Sequence, residues 1–513
     1  MKIIDNKALL LRVRNPQQIT TVIPKSKVLP DNTVAVHWGL DEAQVLRNMQ
    51  VKNIPSPILG RYDWPGQHAP FQHQKDTAAF LTMNRRAFCF NEQGTGKTGA
   101  VIWAADYLMK IGKVRRVLVI CPLSIMDAAW RADLFKFAMH RSVDIAHGAK
   151  EKRRAIINGP AEFVIINYDG VEIVSDDIDR GGFDLIVVDE ASAYKNAQAK
   201  RWKTLYSLVK PDSWLWMMTG TPAAQSPMDA YGLAKLVNPS GVPRYFGSFR
   251  DLVMMKITNF KWIPKENATK TVHSVLQPAI RFTKEECLDL PEMTYTRRNV
   301  ELTRQQQKYY DLLKKTMVMQ AAGEEITAAN AAVIMTKLLQ ISSGAVYSDN
   351  GEVLEFDITK RYSVLTEAID ESSQKVLVFV PFKHAITILS EQLNKDGYVT
   401  EVISGDVPVS KRTDIFHRFQ TEPNGTRVLV IQPQSAAHGV TLTAANTVVW
   451  WGPVASLETY AQANARVHRN GQRHPSTVVQ LAGSGVERHV YNLLDNKIDV
   501  HSKIVELYKD LLL

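Results

Sequence analysis

Short apolar runs that each end in polar or turn residues recur along this chain, and they constrain its fold more than any other feature. Runs without apolar–polar alternation are typical of parallel strands buried on both faces, and the carboxyl ends of such strands carry the functional residues. The runs form two series: VRRVLVICP, AEFVIINYD, FDLIVVDEA and WLWMMTGTP in the first, and QKVLVFVPF, YVTEVISGD, TRVLVIQPQ, ANTVVWWGP and STVVQLAGS, from about 374 to 484, in the second. The pattern predicts two α/β lobes, each built on a parallel sheet.

The segment between the two series is different, because TRQQQKYYDLLKKTMVMQAAG and ITAANAAVIMTKLLQISSG are typical of helices. The chain has 513 residues, which is too long for one hydrophobic core. We therefore predict an α/β fold in three parts: a small accessory segment over 1–66, a first lobe over 67–278 with a helical protrusion after TGTP, and a second lobe over 279–513 with a helical protrusion at about 301–345 and C-terminal helices.

The predicted accessory segment contains the strand-like pieces KALLLRV, QITTVIP and TVAVHWG, and the short helical piece DEAQVLRNM. This content is compatible with a small substrate-recognition domain and equally with a brace on the first lobe. The sequence leaves both interpretations open.

The stretch FNEQGTGKTGAV, residues 90–101, lies between a short apolar run, RRAFCFN, and a helical pattern, GAVIWAADYLM. A strand, a glycine-rich loop and a helix in this order form a phosphate cradle, because the amide groups of the loop and of the helix N-terminus point at the same place. We therefore expect this stretch to bind a nucleotide.

Each residue of the predicted cradle has a chemical reason to be there. Gly94 and Gly96 let the backbone wrap around a phosphate, with Thr95 between them. Lys97 reaches the terminal phosphates, and Thr98 can hold a magnesium ion. The predicted cofactors are ATP and Mg²⁺.

The apolar run FDLIVVDEAS supplies the carboxylates that a nucleotide-hydrolysing site needs. Asp189 at the strand end is predicted to hold magnesium, directly or through water. Glu190 is predicted to orient or deprotonate the attacking water. The pair follows the glycine loop by about 90 residues, which is typical of an ATPase core rather than of an isolated strand end.

Phosphoryl transfer also needs positive charge on the transition state. In TYAQANARVHRNGQR, Gln462, Arg466 and Arg469 fall at i, i+4 and i+7, which predicts that they share one face of a helix. Two arginines there can act as arginine fingers on the γ-phosphate.

The chain is basic, with 62 Lys and Arg against 52 Asp and Glu and a formal net charge of +10. This balance favours a polyanionic partner such as nucleic acid. The basic residues are spread along the sequence, which is more typical of a groove assembled by folding than of a disordered arm.

Composition excludes several other classes of protein. The content of 45% hydrophobic and 22% charged residues is that of a globular protein, and no apolar run reaches the length of a membrane span. Cys89, Cys121 and Cys287 lie far apart and lack the spacing of a zinc site or a disulfide framework, so we expect core cysteines. A cytoplasmic location is expected.

These motifs together resemble the Swi/Snf-type family of double-stranded DNA translocases, in helicase superfamily two. The resemblance extends from about 70 to 490 and follows the order of the family's motifs. The matching segments are PFQHQKDTAAFL, NEQGTGKT, VLVICPLSIMDAAWRADLFKF, INYD, DEAS with YKN, TGTPAAQS, RFTK, VLVFVPF, SGD with Arg412 and Phe419, HGVTLTAANTVVWWGP, and ARVHRNGQ.

The resemblance implies two RecA-like lobes with ATP bound between them. Gln74 then reads the adenine and Gln462 lies at the nucleotide. Arg466 and Arg469 complete the site on closure of the lobes.

The resemblance also implies how the motor contacts its track. Thr219 and Thr221 of TGTP link the nucleotide to the DNA side. Four further residues lie in segments that match the family motifs that contact the phosphate backbone of DNA: Ser124, Tyr168, Gly405 and Thr441. Backbone contacts position a protein without reading sequence, so the expected partner is double-stranded DNA of any sequence, including branched or forked DNA.

The chain departs from the family pattern at three positions. Asn91 replaces the more usual Asp of the phosphate loop, Ser192 replaces the usual His after DEA, and Gly452 replaces an Asn in WGP. The segments GVTLTAANTVVWW and LLQISSG resemble the annealing-helicase, HARP-like branch more than the nucleosome remodellers.

Three functions therefore stay open at the level of sequence. The first is a translocase that moves on duplex DNA without separating it and remodels forks, recombination intermediates or protein–DNA complexes. The second is a strand-separating or strand-annealing helicase, for which a wedge hairpin or third domain would be needed, and none is predicted. The third is a nucleotide-gated DNA-binding protein with little turnover, which Glu190 and the two arginines argue against. A bacterial or viral source suits so compact a form.

Overall fold

The structure is a computed structural model, and it describes residues 1–220, 223, 226–258, 262–287, 290–321, 328–347, 353–436 and 440–496. Along the chain it divides into two compact units, with the main boundary between Thr283 and Lys284. Among the described residues no helix is long and apolar enough to cross a membrane.

The first unit begins with a small module that contains an antiparallel sheet of strand order β1-β2-β4-β3. Its inward side chains, Leu9, Leu11, Val34 and Val36, form a separate core with Ile19 and Trp38. The elements are β1 (Lys2–Ile4), β2 (Ala8–Leu11), α1 (Pro16–Val22), β3 (Ser26–Val28), β4 (Val34–His37), α2 (Leu40–Asn48) and α3 (Ile58–Arg61).

One prediction for the module is wrong, because QITTVIP belongs to helix α1 instead of a strand. Asn15 caps the helix by accepting a hydrogen bond from Gln18 N, and Pro16 occupies the first turn. These two helix-start signals outweigh the strand preference of the β-branched residues that follow them.

The remainder of the first unit is the first lobe. Its elements are α4 (Gln72–Met83), β5 (Arg86–Cys89), α5 (Lys97–Lys110), β6 (Val117–Cys121), α6 (Ala132–Phe137), β7 (Val143–Ala146), α7 (Lys150–Ile157), β8 (Phe163–Asn167), α8 (Tyr168–Ile173), α9 (Ser175–Arg180), β9 (Leu185–Val188), α10 (Lys200–Leu208), β10 (Trp214–Met218), α11 (Ala230–Val237), α12 (Phe246–Val253), β11 (Met254–Lys256), β12 (Trp262–Pro264), α13 (Ala268–Val275) and β13 (Ala279–Ile280).

Seven parallel strands form the sheet of this lobe, in the order β13-β5-β10-β9-β6-β8-β7. Strands β6, β9 and β10 are buried along their whole length, as the unbroken apolar runs predict. Strand β13 pairs with β5, so residues 279 and 280 belong to the first lobe, and the lobe ends later than the predicted residue 278.

A buried carboxylate joins the module to the first lobe. Asp106 of α5 accepts hydrogen bonds from Tyr62 Oη at 2.5 Å and from Arg141 Nε at 2.6 Å, and His140 Nε2 lies 2.9 Å away. Burial, together with this carboxylate, raises the pKa of the Tyr62 hydroxyl. The module is therefore held on the lobe by its own C-terminal segment.

The protrusion predicted after TGTP contains a β-hairpin as well as helices. Strands β11 and β12 pair antiparallel, with Met255 opposite Ile263. A hairpin was not predicted, because its strands are only three residues long and lack alternation.

The second unit contains the second lobe. Its elements are α14 (Lys284–Cys287), β14 (Met293–Asn299), α15 (Arg304–Ala321), α16 (Ala328–Ser343), β15 (Ala345–Tyr347), β16 (Val353–Glu355), α17 (Thr359–Glu371), β17 (Lys375–Phe379), α18 (Lys383–Lys395), β18 (Thr400–Ile403), α19 (Val409–Thr421), β19 (Val428–Ile431), α20 (Pro433–Ala436), β20 (Ala445–Trp450), α21 (Leu457–Asn464), β21 (Ser476–Ala482) and α22 (Gly485–Asp495).

Six parallel strands form the second sheet, in the order β14-β21-β20-β17-β19-β18. The predicted α/β class with two parallel-sheet lobes is thus confirmed. Helices α15 and α16 occupy the region predicted as a helical protrusion. Trp450 and Trp451 are fully buried in the core, which explains the apolar run they end.

Candidate nucleotide-hydrolysis site

The glycine loop adopts a backbone that only glycine accepts easily at two positions. Gly94 has a φ of 89° and Gly96 a φ of 76°, and Gly96 caps the N-terminus of α5. A Cβ added at Gly96 would lie 2.3 Å from Gln74 Nε2. The loop therefore exposes the amides of the helix N-terminus, as a phosphate cradle requires.

Lys97 is the first residue of α5, and its side chain is buried in the lobe. Its Nζ is shielded from solvent and has no hydrogen-bond partner among the described residues. A buried ammonium group needs a counter-charge, which the terminal phosphates of a nucleotide can supply. The residues of the loop thus fit a bound nucleotide phosphate.

Gln74 links the glycine loop to the N-terminus of its own helix, α4. Its Nε2 donates to Gly96 O at 3.0 Å, and its Oε1 accepts from Phe71 N at 2.9 Å. The structure therefore places Gln74 beside the phosphate loop, and adenine recognition by this residue stays a prediction.

Asn91 explains one departure from the family pattern. Its Nδ2 donates to Thr77 Oγ1 at 2.8 Å, and its Oδ1 accepts from Phe282 N at 3.1 Å. The side chain is 1% exposed. An amide at this position, with one donor and one acceptor used, fastens the loop to α4 and to the chain segment that ends the lobe.

The two predicted carboxylates lie at the carboxyl end of β9. Asp189 is 6% exposed, and its Oδ1 accepts from Glu190 N at 2.9 Å. Glu190 takes up a left-handed backbone with a φ of 46°, and its Oε1 accepts from Gln93 Nε2 at 3.2 Å. A strained backbone at a predicted catalytic residue is typical of functional sites, and here the loop residue Gln93 holds the carboxylate.

Trp130, which no sequence motif singled out, is hydrogen-bonded to Asp189. Its Nε1 donates to Asp189 Oδ2 at 2.9 Å, and the indole is 1% exposed. Trp130 belongs to a π-helical turn, Met126–Arg131, of a type that is frequent at functional sites. Since each carboxylate oxygen has a further lone pair, Asp189 keeps its capacity to bind Mg²⁺ while Trp130 fixes its orientation.

Tyr168, predicted to contact DNA, has its hydroxyl at the same strand end. The hydroxyl donates to Asp189 O at 2.7 Å, and Glu190 O lies 3.2 Å away. Burial, followed by the neighbouring carboxylates, raises the pKa of Tyr168 well above its usual value, so the hydroxyl stays a donor. It therefore supports the backbone of the carboxylate pair.

In the second lobe, Arg466 and Arg469 converge on one carbonyl group. Arg466 Nη1 lies 3.2 Å and Arg469 Nη1 2.9 Å from Val440 O. The predicted shared helical face is wrong, because α21 ends at Asn464 and both arginines lie in the turns that follow. Gln462 is buried in the helix, and its carbonyl accepts from Arg466 Nε at 2.9 Å.

Gln472 stabilises the turn that carries these arginines, and its place in ARVHRNGQ is the one sequence signal that points to it. Its Nε2 donates to Ala445 O at 2.8 Å, and its Oε1 accepts from Arg473 N at 2.9 Å and from His474 N at 3.0 Å. The side chain is 6% exposed, so the amide is a buried link between the turn and β20.

The remaining predicted site residues that the structure describes lie in loops or turns next to strands. Thr219 is fully buried at the end of β10, whereas Thr221 lies outside the described residues. Ser124 is partly buried in a short 3₁₀ turn, Leu123–Ile125. Gly405 and Thr441 are exposed, and Gly405 N donates to Gln432 Oε1 at 3.0 Å. Their roles stay predictions.

Two family models match the chain. The SNF2-related domain matches residues 73–344, and the helicase conserved C-terminal domain matches residues 360–471. The first covers more than half of the sequence and includes the glycine loop and the carboxylate pair.

Curated relatives are similar over most of the chain. Protein p41 of Acyrthosiphon pisum secondary endosymbiont phage 1 is 25% identical, over 79% of this chain and 88% of its own length. The chromodomain-helicase-DNA-binding protein 1-like of Mus musculus is 25% identical, over 81% of this chain and 47% of its own length. The SWI/SNF-related matrix-associated actin-dependent regulator of chromatin subfamily A-like protein 1 homolog of Caenorhabditis elegans is 22% identical, over 92% and 70%. The chain thus spans less than half of the mouse relative.

A solved structure with a similar chain is the Sulfolobus solfataricus SWI2/SNF2 ATPase core in complex with dsDNA. It is 23% identical, has a TM-score of 0.42, and is matched over 86% of this chain and 94% of that chain.

Lys97→Ala should abolish ATP hydrolysis, because it removes the buried cation of the phosphate loop, whereas Glu190→Gln should keep nucleotide bound and lower turnover by about 100-fold or more. Steady-state phosphate release and binding of a fluorescent ATP analogue measure the two effects. Lys110→Ala, at the far end of the same helix, is the matched control. A Glu190→Gln protein that retains more than about a tenth of wild-type turnover contradicts the water-activating role.

Trp130→Phe should raise the Mg²⁺ concentration needed for half-maximal ATPase activity by about tenfold or more, because Asp189 can reorient once the hydrogen bond from the indole to its Oδ2 is lost. Trp202→Phe is the matched control, since Trp202 is buried in the same lobe and donates to Gly232 O at 2.8 Å. If the two variants had the same Mg²⁺ dependence of ATPase activity, Trp130 would contribute to packing alone and not to Mg²⁺ binding by Asp189.

Proposed function

We propose that this chain, which belongs to the SNF2-related family, couples ATP hydrolysis to movement along duplex DNA without separating the strands. The observation that carries the proposal is the buried Lys97 ammonium at the start of α5, which has no hydrogen-bond partner within the described part of the chain. In the same lobe, strand β9 is followed directly by Asp189 and Glu190. The family is one of ATPases in helicase superfamily two, and hydrolysis is the reaction for which these groups are suited.

The first lobe would bind the nucleotide and prepare the attacking water. Residues Gly94–Thr98 hold the phosphates, and Thr98 and Asp189 would hold Mg²⁺, which neutralises charge on the phosphate oxygens when bound. Glu190, held by Gln93, orients or deprotonates the water. Gln74 contributes adenine recognition in this proposal.

In this proposal the second lobe contributes positive charge, which stabilises the negative charge on the phosphate oxygens in the transition state. Arg466 and Arg469 share Val440 O, so both guanidinium groups are fixed by the same backbone segment. A preorganised pair of this kind stabilises transferring phosphate without reorganisation. Gln462 supports Arg466 through its carbonyl group.

Duplex DNA is the proposed track because the protein is basic and its motifs match those that follow phosphate backbones. The formal charge is +10. Ser124 and Gly405 lie in turns or loops that follow β6 and β18, and Thr441 lies in the loop before β20, positions that suit contacts with a phosphate backbone. Tyr168 would act through the backbone of Asp189 and Glu190, to which its hydroxyl is hydrogen-bonded. Thr219 and Thr221 would couple the nucleotide site to the DNA. Several relatives carry names of helicases or DNA-binding proteins. Forks, recombination intermediates and protein–DNA complexes are the proposed substrates.

A strand-separating helicase is the second candidate, and the β11–β12 hairpin is the observation that favours it. A hairpin can serve as a wedge at a junction, although its two strands have only three residues each. A nucleotide-gated binding protein is less suited to the arrangement, because Glu190 and the arginine pair are needed for turnover rather than for binding. The leaning towards the annealing-helicase branch stays a prediction.

Arg466→Ala and Arg469→Ala should each lower DNA-stimulated ATP turnover by about 100-fold or more, while nucleotide affinity changes far less, because the charges act mainly in the transition state. Arg488→Ala, at an exposed position of α22, is the control. Parallel losses of affinity and rate would identify the two residues as ground-state ligands.

With ATP and Mg²⁺, the protein should displace a third strand from a triplex on duplex DNA, yet release no single strand from a tailed duplex. Movement along an intact duplex needs no base-pair opening, whereas unwinding must supply on average about 1.4 kcal/mol per base-pair step. Both substrates are tested in one buffer, with Lys97→Ala as the blank. Efficient unwinding without triplex displacement would reject the translocase in favour of the helicase.

A further inference from the structure

Residues 244–258 and 262–270 of the first lobe present an unusual exposed surface, which we call the hairpin surface. It comprises α12, the hairpin β11–β12 and the start of α13. Large hydrophobic side chains are exposed along it: Tyr245, Phe246, Leu252, Met255 and Ile257, with exposed fractions of 64%, 40%, 48%, 46% and 50%. None of these residues is needed by the nucleotide site described above.

The exposure does not come from a loosely attached segment. Phe249 and Val253 of α12 are fully buried, and Ala268 of α13 is 2% exposed, all within the hydrophobic core of the lobe. Tyr231 Oη also donates to Arg244 O at 2.8 Å. The exposed residues are therefore the outer face of elements whose inner face is firmly packed.

The hairpin surface is also basic. Its described residues include five cations, at Arg244, Arg250, Lys256, Lys265 and Lys270, and two acids, at Asp251 and Glu266. The difference, five minus two, is a net charge of +3 in a short segment, against +10 for the whole chain. A positive, partly apolar surface of this kind is complementary to a polyanion that has apolar faces.

Aromatic rings and cations are interleaved on this surface. The Arg250 guanidinium lies 4.0 Å from the centre of the Trp262 ring, and that of Arg244 lies 5.5 Å from the centre of the Tyr245 ring. Met255 and Ile263 form a cross-strand pair on the hairpin. In single-stranded nucleic acid, unpaired bases stack on aromatic side chains while cationic side chains contact the phosphates. In an intact duplex the faces of the bases are stacked on one another and cannot be reached in this way.

We propose that the hairpin surface is a second nucleic-acid site, which binds single-stranded DNA such as the unpaired part of a branched substrate. Tyr245 and Phe246 provide aromatic rings on which bases stack, and Leu252 and Ile257 contact the faces of unstacked bases. Lys256 contacts the phosphate backbone of the DNA. The inference rests on the proposed function for its biological meaning, because the site would give a duplex motor its preference for branched DNA.

The test compares binding of a fluorescent 15-nucleotide oligo-dT and of a blunt duplex to the full chain. The double variant Tyr245→Ser/Ile257→Ser should lower affinity for oligo-dT by about tenfold or more, since each lost stacked base is worth roughly 1–3 kcal/mol, and should change duplex affinity by less than about twofold. Ile173→Ser, at an exposed position of the same lobe, is the matched control.

A charge variant tests the backbone contact independently. Lys256→Ala should reduce the slope of log affinity for oligo-dT against log salt concentration by about 0.7, as expected for one lost phosphate contact with a single strand. Lys203→Ala, at an exposed position of α10, should leave the slope unchanged.

The outcomes separate this inference from the proposed function. If the double variant binds oligo-dT with unchanged affinity, the proposed single-strand site on the hairpin surface is rejected, whether or not its affinity for the duplex changes. Absence of duplex-stimulated ATPase activity in the wild-type protein overturns the proposed function, and leaves loss of oligo-dT binding as support for the site. A concentration-dependent dimer, seen by light scattering and abolished by the double variant with oligo-dT affinity intact, would identify the surface as a protein interface and reject the proposal.

Discussion

Burial of the parallel sheets on both faces is the constraint on which the rest of this structure depends. Strands such as Leu185–Val188 and Trp214–Met218 admit only apolar side chains, so polar groups can enter only where a strand ends. In the first lobe the carboxyl ends of the parallel strands share one edge, and Asp189, Glu190 and Thr219 follow two neighbouring strands there. The position of the chemistry is thus a consequence of packing.

The same constraint decides how much of the fold can be predicted from the sequence. Central strands are continuous apolar runs, and all nine of the runs quoted at the outset contain a strand. Edge strands are different: β7 is half exposed, and β13 has only two residues, so neither leaves a clear pattern. Strand β14 is a third edge strand, and it contains the consecutive cations Arg297 and Arg298. Their partners, Asn492 and Glu371, lie far away in the sequence.

The candidate site shows a similar division between local and distant causes. The glycine loop and the carboxylate pair were found because a few adjacent residues carry their own chemistry. Trp130, Gln93 and Gln472 were not singled out, because each acts through a partner that only folding brings near. The arginines were found for the wrong local reason, since a periodic spacing suggested one helix and the chain instead turns after Asn464.

The buried link between Tyr62 and Asp106 has a consequence for how such proteins can diversify. Trp103 Nε1 also donates to Pro65 O at 2.8 Å, and the rings of Trp64 and Trp103 lie 5.8 Å apart, so the link is both polar and aromatic. A gene fusion that replaced residues 1–66 with another domain would uncover this seam and leave a buried carboxylate facing solvent on one side. A domain exchanged for the module would therefore have to supply its own hydrogen-bond donor to Asp106 and its own aromatic cover for Trp103.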